Sequence, residues 1–212
     1  MSLKVLFHVK HDESRPLVGA GAQLGVRLLQ TQAESLLDFE RLLITHAVPA
    51  GIVARADLPR LRERHVLDCL RAAAAVTGAD RSAYDLGSGA GLPGLVVAIA
   101  RPDLKVTLVE ARRRRAAFLE FAVEQLGVTN VEVAPTRLEE LNTPADLCFA
   151  RALAPLPESW NLAERLLQPR GRLVYFAGEG ATEPFAAPGA RVLDILTASV
   201  LERSGPLVIM AR

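Results

Sequence analysis

The chain has 212 residues, a length that suits one domain or one domain with a small appendage. Half of the residues are hydrophobic, which favours a packed globular protein over a disordered one. The formal net charge is +1, and aromatic residues make up 5% of the chain. This composition excludes a surface that stacks successive bases, while the charge neither indicates nor excludes a polyanionic partner.

The sequence carries no signal for a membrane or a metal. No apolar stretch approaches the roughly 20 residues of a membrane span, and the N-terminus does not have the pattern of a signal peptide. Cys69 and Cys148 lie in apolar runs, which favours reduced core thiols in a cytoplasmic protein over a disulfide. His8, His11 and His46 lack metal-ligand spacing with either cysteine. We therefore expect no metal and no membrane contact, and a monomer is favoured.

The first 79 residues are predicted to form an N-terminal tail and a helical cap packed on a sheet. Residues 32–45 and 58–74 have helical patterns with no strand between them. From residue 80 to 212, strand-like runs at 82–86, 105–110, 130–133, 147–151, 172–177, 190–196 and 207–211 alternate with helical patterns at 92–100, 112–126 and 156–167. This alternation predicts a doubly wound α/β domain whose seven-stranded sheet is mostly parallel, with an antiparallel last strand.

The first predicted strand runs into a glycine-rich turn that a helix follows. The turn reads Asp85-Leu86-Gly87-Ser88-Gly89-Ala90-Gly91-Leu92-Pro93-Gly94. Glycines let a ligand approach the backbone closely, and Pro93 suits the first turn of the next helix. Glu110, at the end of the next strand, can accept hydrogen bonds from both hydroxyls of an adenosine ribose. The pattern therefore predicts a pocket for a cofactor that contains adenosine.

Two cofactors fit this pattern. Gly89, Gly91 and Gly94 match the dinucleotide fingerprint, with Glu110 about 20 residues further on. Asp85, however, places an anion near the position of a dinucleotide's pyrophosphate, whereas it suits the cationic sulfonium and ammonium groups of S-adenosylmethionine. The methyl donor is therefore favoured over a nicotinamide cofactor, and a turn without a ligand is the third alternative.

At this point the sequence resembles a known family. The successive segments that carry the resemblance are Arg64–Leu70 (RHVLDCL), Asp85–Gly94, Leu108–Glu110, Arg114–Leu119, Thr136–Glu140 and Arg151–Ala154. They are similar in order and spacing to the motifs of the bacterial guanosine-N7 methyltransferases of 16S ribosomal RNA, also called glucose-inhibited division protein B. The resemblance implies the Rossmann-like class I fold of methyltransferases that use S-adenosylmethionine, with 16S rRNA or the small ribosomal subunit as partner.

The resemblance also implies a role for each matching residue. Gly87 and Leu92 would line the cofactor, Glu110 would hold its ribose, and Leu138-Glu139 would contact the adenine edge. With Asp85, Gly89, Gly91 and Arg151, these residues form the predicted cofactor site.

The remaining roles concern the substrate. Arg151 would face both the methionine end of the cofactor and the substrate, and it is the first catalytic candidate. Arg137 is the second, because it would meet RNA phosphate or help to seat the guanine. Arg114, Arg115 and His65 would contact the RNA. Guanine N7 carries an exposed lone pair, so the arginines would orient the reactants and no general base is required.

Two segments depart from the family pattern. Gly51-Ile52-Val53-Ala54-Arg55 stands in the region where the family has Asn-Leu-Thr, and Ala177-Gly178 stands where it has Lys-Gly. Both departures leave the cofactor pattern intact and weaken the RNA assignment more than the reaction class. A methyltransferase for a small molecule or a protein, a nicotinamide-dependent oxidoreductase and a cofactor-binding module without activity therefore remain alternatives.

Overall fold

A computed structural model describes residues 14–201 and 203–212 of the chain. Most of the predicted tail, with His8 and His11, lies outside these residues. The cap begins with a helix over residues 14–23 (α1), followed by α2 (Gln30–Leu42) and a π-helical turn (Leu43–Ala47). The helix predicted at 32–45 is thus present with slightly shifted ends.

The cap lies on helices of the core. Helix α2 buries Ala33, Leu36, Leu37 and Phe39, whose spacing forms one apolar face. This face packs against α4 (Gly94–Ala100) and α5 (Arg113–Leu126), which themselves cover the sheet. The sequence predicted a cap packed on the sheet. In the structure, α2 packs on a layer of helices, and that layer packs on the sheet.

The second predicted cap helix is irregular. Instead of one helix over 58–74, the chain forms a 3₁₀-helix (Arg55–Arg60), a π-helix (Arg62–Leu67), a single α-turn α3 (Asp68–Leu70) and a second 3₁₀-helix (Arg71–Ala75). The predicted helical segment is present, but it is divided among these helix types. Pro59 lies inside the segment, and proline has no N–H to donate to the helical ladder.

One seven-stranded sheet forms the centre of the molecule. Its strands are β1 (Ser82–Leu86), β2 (Lys105–Val109), β3 (Val131–Ala134), β4 (Ala145–Arg151), β5 (Leu167–Phe176), β6 (Arg191–Leu196) and β7 (Leu207–Ala211). They lie in the order β3-β2-β1-β4-β5-β7-β6, with β1 to β5 parallel and β7 antiparallel to both of its neighbours. The predicted fold class and the antiparallel last strand are confirmed.

The boundaries of two elements differ from prediction. Helix α6 (Leu156–Glu164) ends before Leu167, which already pairs with Ala145 as the first residue of β5. Apolar Leu166 and Leu167 suit a buried helix end and a buried strand start equally well, so the pattern did not reveal the change. Helix α5 ends as predicted at Gly127, whose φ of 61° is the left-handed conformation typical of a helix C-terminus.

Alternate residues of the central strands build two hydrophobic cores, one on each face of the sheet. In β4, Leu147 and Phe149 pack into the core that includes the cap, and Cys148 and Ala150 pack into the core under α6. Both cysteines are free and buried, as expected. Burial raises the pKa of Cys69 to about 12, so its thiol is unreactive at neutral pH.

A buried ion pair joins the end of the cap to the sheet. Asp80 Oδ2 accepts hydrogen bonds from Arg172 Nη2 at 2.6 Å and from the Thr77 N–H, and Arg172 Nη1 donates to Ala75 O. Both charged side chains are largely buried. Removal of one partner would therefore leave an uncompensated charge.

We expect Asp80→Ala to lower the free energy of unfolding by about 3–5 kcal/mol, because Arg172 stays buried without its partner. Asp103→Ala is the matched control, since it breaks the Arg101–Asp103 pair, in which Asp103 is 52% exposed. The control substitution should lower the free energy of unfolding by about 1 kcal/mol or less. Urea unfolding of both variants measures the difference, and equal losses would contradict the assigned role of the buried pair.

Candidate functional site

The site is built on the turn between β1 and α4, which lies at the carboxyl edge of the parallel strands. Gly87 and Gly91 have φ values of 71° and 86°, which other residues rarely adopt. A Cβ on Gly87 would lie 2.9 Å from Leu153 Cδ1, and one on Gly91 would lie 2.7 Å from Leu95 Cδ1. The turn therefore depends on glycine for both its backbone angles and its close packing.

Asp85 lies beneath this turn. Its side chain is buried, and Oδ2 accepts a hydrogen bond of 3.0 Å from the Gly94 N–H at the N-terminus of α4. Burial raises the pKa of Asp85 to about 7, and the hydrogen bond from Gly94 opposes that rise. The carboxyl group thus stabilises the turn from the protein interior. Asp85 is not among the residues that line the clefts described below. Leu92 is also buried, at the start of the same helix.

Glu110, directly after β2, joins two backbone segments. Its Oε2 accepts a hydrogen bond of 3.0 Å from the Gly89 N–H, and its Oε1 accepts one of 2.8 Å from the Arg112 N–H. Arg115 Nη1 lies 3.9 Å from Oε2. Each carboxylate oxygen has two lone pairs, so each retains capacity for one further donor. The carboxylate is therefore fixed in place and still able to accept two hydroxyl groups.

An open cleft of ≈ 390 Å³ lies in front of Glu110. We call it the Glu110 cleft; it is lined by Gly87, Val109, Glu110, Ala111, Arg112, Arg115, Thr136, Arg137, Leu138, Glu139, Ala152, Leu153 and Leu162. Its volume falls within the range of small-molecule sites. The structure thus brings together Gly87, Glu110, Leu138 and Glu139 of the predicted cofactor site.

The predicted RNA residues divide between different surfaces. Arg137 and Arg115 lie at the Glu110 cleft, and Arg137 is exposed there. Arg114 is exposed on α5 and is not among the lining residues of that cleft. His65 and Arg151 lie at a different cleft, next to the first.

This second cleft, the Arg151 cleft, has a volume of ≈ 410 Å³. It is lined by Arg64, His65, Asp68, Arg151, Ala152, Tyr175, Phe176, Ala177, Gly178, Glu179, Arg203 and Gly205. Ala152, directly after β4, lines both clefts and has a φ of 52°, a positive value that is uncommon outside glycine. The two clefts therefore meet at the carboxyl end of β4.

Arg151 has contacts on several sides at this junction. Its Nη2 donates to Arg64 O at 2.9 Å and lies 3.6 Å from Asp68 Oδ2. Its guanidinium carbon lies 5.9 Å from the centre of the Phe176 ring, a distance typical of a cation–π contact. Asp68 in turn pairs with buried Arg71 at 2.5 Å. The guanidinium is thus held at the cleft by the irregular cap segment.

His65 lies between Arg151 and a residue that sequence reasoning missed. Its Nδ1 is 3.3 Å from Arg151 Nη2, and its Nε2 is 3.2 Å from Asp57 Oδ2. The Nε2 contact is close, although its geometry is not that of an aligned hydrogen bond. Asp57 precedes His65 by eight residues, which would lie about 12 Å apart along a regular helix, so the sequence carried no signal for this contact.

The described residues contain no group of three or more histidine, cysteine or acidic side chains arranged to hold a metal ion. Over the same part of the chain, no helix has the length and apolar character needed to cross a membrane.

Solved structures share the fold. A mitomycin 7-O-methyltransferase, MmcR, superposes with a TM-score of 0.57 at 17% identity, over 86% of this chain and 70% of that one. A SAM-dependent methyltransferase from Aquifex aeolicus superposes with a TM-score of 0.54 at 18% identity, over 76% of this chain and 97% of that one. The fold is therefore the Rossmann-like class I methyltransferase fold, as predicted.

Sequence relatives identify the family. The profile of the GidB family, described as rRNA small subunit methyltransferase G, matches residues 32–192. Proteins named ribosomal RNA small subunit methyltransferase G match at 44% identity over 71% of this chain in Nocardioides sp. and at 36% over 85% in Kineococcus radiotolerans. The matches span 61% and 72% of those relatives' own lengths. The chain belongs to the rRNA small subunit methyltransferase G family.

Proposed function

We propose that the protein transfers a methyl group from S-adenosylmethionine to N7 of a guanine in 16S ribosomal RNA. The observation that carries the proposal is the junction of the two clefts at Ala152. One cleft has the features of an adenosine site, and the other presents the Arg151 guanidinium. Family membership supports the reaction and the RNA substrate.

The residues of the Glu110 cleft fit the adenosine part of this cofactor. Glu110 would accept both ribose hydroxyls, because its carboxylate is fixed by two N–H groups and retains free lone pairs. Gly87 leaves the space beside Leu153 that a side chain would fill. Leu138 and Glu139 would contact the adenine, and Gly89 and Gly91 would hold the turn against the cofactor.

Asp85 favours this cofactor over a dinucleotide. In dinucleotide-binding folds the pyrophosphate lies at the N-terminus of the helix that follows the glycine-rich turn. Here the Asp85 carboxyl group already accepts the Gly94 N–H at that helix end. A pyrophosphate would meet this carboxyl group instead of a free donor, so the nicotinamide alternative is disfavoured. We propose that Asp85 acts from beneath the turn, by shaping it.

The bound cofactor supplies an electrophilic methyl group on a sulfonium ion. Held at Glu110, it would supply this methyl group to the guanine N7 lone pair, and the electron pair of the carbon–sulfur bond would remain on sulfur. N7 loses no proton, so the chain needs no general base. Its contribution is orientation, which can supply roughly 7–11 kcal/mol in well-aligned cases.

Arginines would provide that orientation. We propose that Arg151 faces the methionine end of the cofactor and the guanine, and that Arg137 binds RNA phosphate or helps to seat the guanine. Arg115 and Arg114 would contact phosphates further along the RNA, because guanidinium groups donate to phosphate oxygens in pairs. We also propose that the protein is a cytoplasmic monomer, because small ribosomal subunits form in the cytoplasm. Residues 1–79 would form its tail and cap, and residues 80–212 its methyltransferase core.

Glu110→Gln should weaken binding of S-adenosylhomocysteine, because the amide cannot accept from Gly89, Arg112 and two hydroxyls together. We expect at least a roughly tenfold loss in affinity, the equivalent of 1.4 kcal/mol. Calorimetric titration measures it, and Glu132→Gln, an exposed carboxylate on β3, is the control. Unchanged affinity in Glu110→Gln, or a rise in the melting temperature with NAD instead, would exclude the assigned cofactor site.

Asp85→Asn should change how stability depends on pH. The carboxyl group has a pKa of about 7 in the folded protein and about 3.9 in the unfolded chain. Between these values the folded state holds a proton that the unfolded state has released, so the free energy of unfolding falls as pH rises, by up to about 1.4 kcal/mol per pH unit. Asparagine does not titrate. Urea unfolding from pH 4 to 8 should show a smaller fall in the free energy of unfolding for Asp85→Asn than for the parent protein. The same pH dependence in both proteins would contradict the raised pKa of Asp85.

The reaction itself is tested with ribosomal RNA from cells that lack this gene. Labelled methyl from S-adenosylmethionine should appear as 7-methylguanosine in small-subunit RNA, offered naked or as assembled subunits. Arg151→Ala should lower the rate by roughly 100-fold or more, because orientation is lost. Arg191→Ala, an exposed arginine on edge strand β6, is the control. Absence of 7-methylguanosine from both substrates, in a protein that binds S-adenosylhomocysteine, would overturn the RNA assignment and retain the cofactor site.

A further inference from the structure

We propose that neutral His65, oriented by Asp57, positions the Arg151 guanidinium for methyl transfer and does not itself contact RNA. This proposal rests on the proposed function and concerns how the Arg151 cleft is kept in order. It takes the place of the contact between His65 and RNA that the family resemblance implies.

The first argument is which nitrogen of His65 can carry a proton. A guanidinium has only donors, and both of its terminal nitrogens face His65 Nδ1, at 3.4 Å and 3.3 Å. Nδ1 must therefore accept, which places the ring proton on Nε2. Nε2 lies 3.2 Å from Asp57 Oδ2, a carboxylate that can only accept when it is ionised. In this tautomer the Nδ1 lone pair faces the donors of Arg151 and the Nε2 proton lies on the side of Asp57, which contacts it at close range without forming an aligned hydrogen bond.

The second argument is burial. His65 is 8% exposed and its Nε2 atom is fully covered, so the ring presents little surface to a base or a phosphate, although it borders the Arg151 cleft. The Arg151 side chain is 18% exposed, against 10% for His65, and it lines the same cleft together with Ala152. A histidine in this place acts on the reactants through the arginine.

The third argument is charge. The charged groups around the ring are Asp57 and Arg64 from the cap segment, Asp68 from α3 and Arg151 from β4, with Glu179 and Arg203 lining the same cleft. Burial lowers the pKa of His65, and the positive charge of Arg151 lowers it further, while Asp57 opposes both. The ring is therefore neutral at pH 7. Protonation at lower pH would put an N–H on Nδ1, directed at the donors of Arg151, and would break the contact.

Histidine NMR tests the geometry without any need for catalysis. In the full chain labelled with ¹⁵N, the side-chain spectrum of His65 should show the proton on Nε2. In Arg151→Met the pKa of His65 should rise by roughly 1 unit, because a nearby positive charge is removed. The ring signals of exposed His46 serve as the internal control and should not respond. A proton on Nδ1 in the parent protein would overturn the proposal.

One further variant keeps this test decisive if Arg151→Met does not fold. Asp57→Asn should lower the pKa of His65, because it removes the neighbouring negative charge and leaves an acceptor in place. Asp57 and Arg151 contact opposite nitrogens of the ring, so Asp57→Asn leaves the guanidinium contact in place. An unchanged His65 pKa in Asp57→Asn would also overturn the proposal.

Kinetics then separate positioning from RNA contact. His65→Phe should lower kcat by roughly 10- to 100-fold with little change in KM for the RNA, because Arg151 is misplaced. His65→Asn retains an acceptor near the position of Nδ1 and should recover part of the rate, and His46→Asn is the matched control. A raised KM with unchanged kcat would instead indicate an RNA contact. If no methyl transfer is found even in the parent protein, the proposed function fails, whereas the NMR result still decides the geometry.

Discussion

The hydrogen bond from the Gly94 N–H to the buried Asp85 carboxyl group determines the shape of the site. It joins the end of β1 to the start of α4 across the glycine-rich turn. With the turn held in this form, the Gly89 N–H donates a hydrogen bond to Glu110, which directly follows β2. One buried interaction thus sets the position of the residue assigned to the ribose. It also occupies the helix end that a phosphate would require, which is why the same glycine pattern favours S-adenosylmethionine here.

The sheet topology explains why two clefts meet where they do. Strand order reverses between β1 and β4, because β1 continues through β2 to β3 on one side while β4 continues to β5 on the other. Connections diverge at such a point and leave a crevice at the carboxyl ends of the strands. The Glu110 cleft lies on the β2 side, the Arg151 cleft lies at β4 and β5, and Ala152 borders both. The proposed transfer would take place at this border.

The cap packs on the core and also supplies side chains to the site. Gln32 in α2 donates to the carbonyls of Ile99 and Ala100 at the end of α4, and this fixes the cap on the core. The irregular segment that follows supplies Asp57, His65 and Asp68, all in the network around Arg151. Helices with 3₁₀ and π turns are common at functional sites, where they redirect individual side chains. The departure from a regular helix is therefore what allows these side chains to act together.

Much of the fold could be predicted from the sequence because its signals are local. Strand β1, the stop at Gly127 and the turn from Asp85 to Gly94 each carry their own pattern, and the structure places them where that pattern indicated.

The remaining features depend on contacts between distant residues. No local pattern shows that Leu167 pairs with Ala145, or that Asp57 lies beside His65. Arg151 was correctly assigned to the end of β4, but its partners come from residues more than 80 positions earlier. Composition and periodicity contain no information on such long-range pairs.

A crystal structure of the protein with S-adenosylhomocysteine tests the central claim most directly. The account predicts that both ribose hydroxyls donate to Glu110, that the adenine lies at Leu138 and Glu139, and that the sulfur points towards Ala152 and the Arg151 cleft. A nucleoside bound away from Glu110, or a sulfur directed away from Ala152, would contradict it.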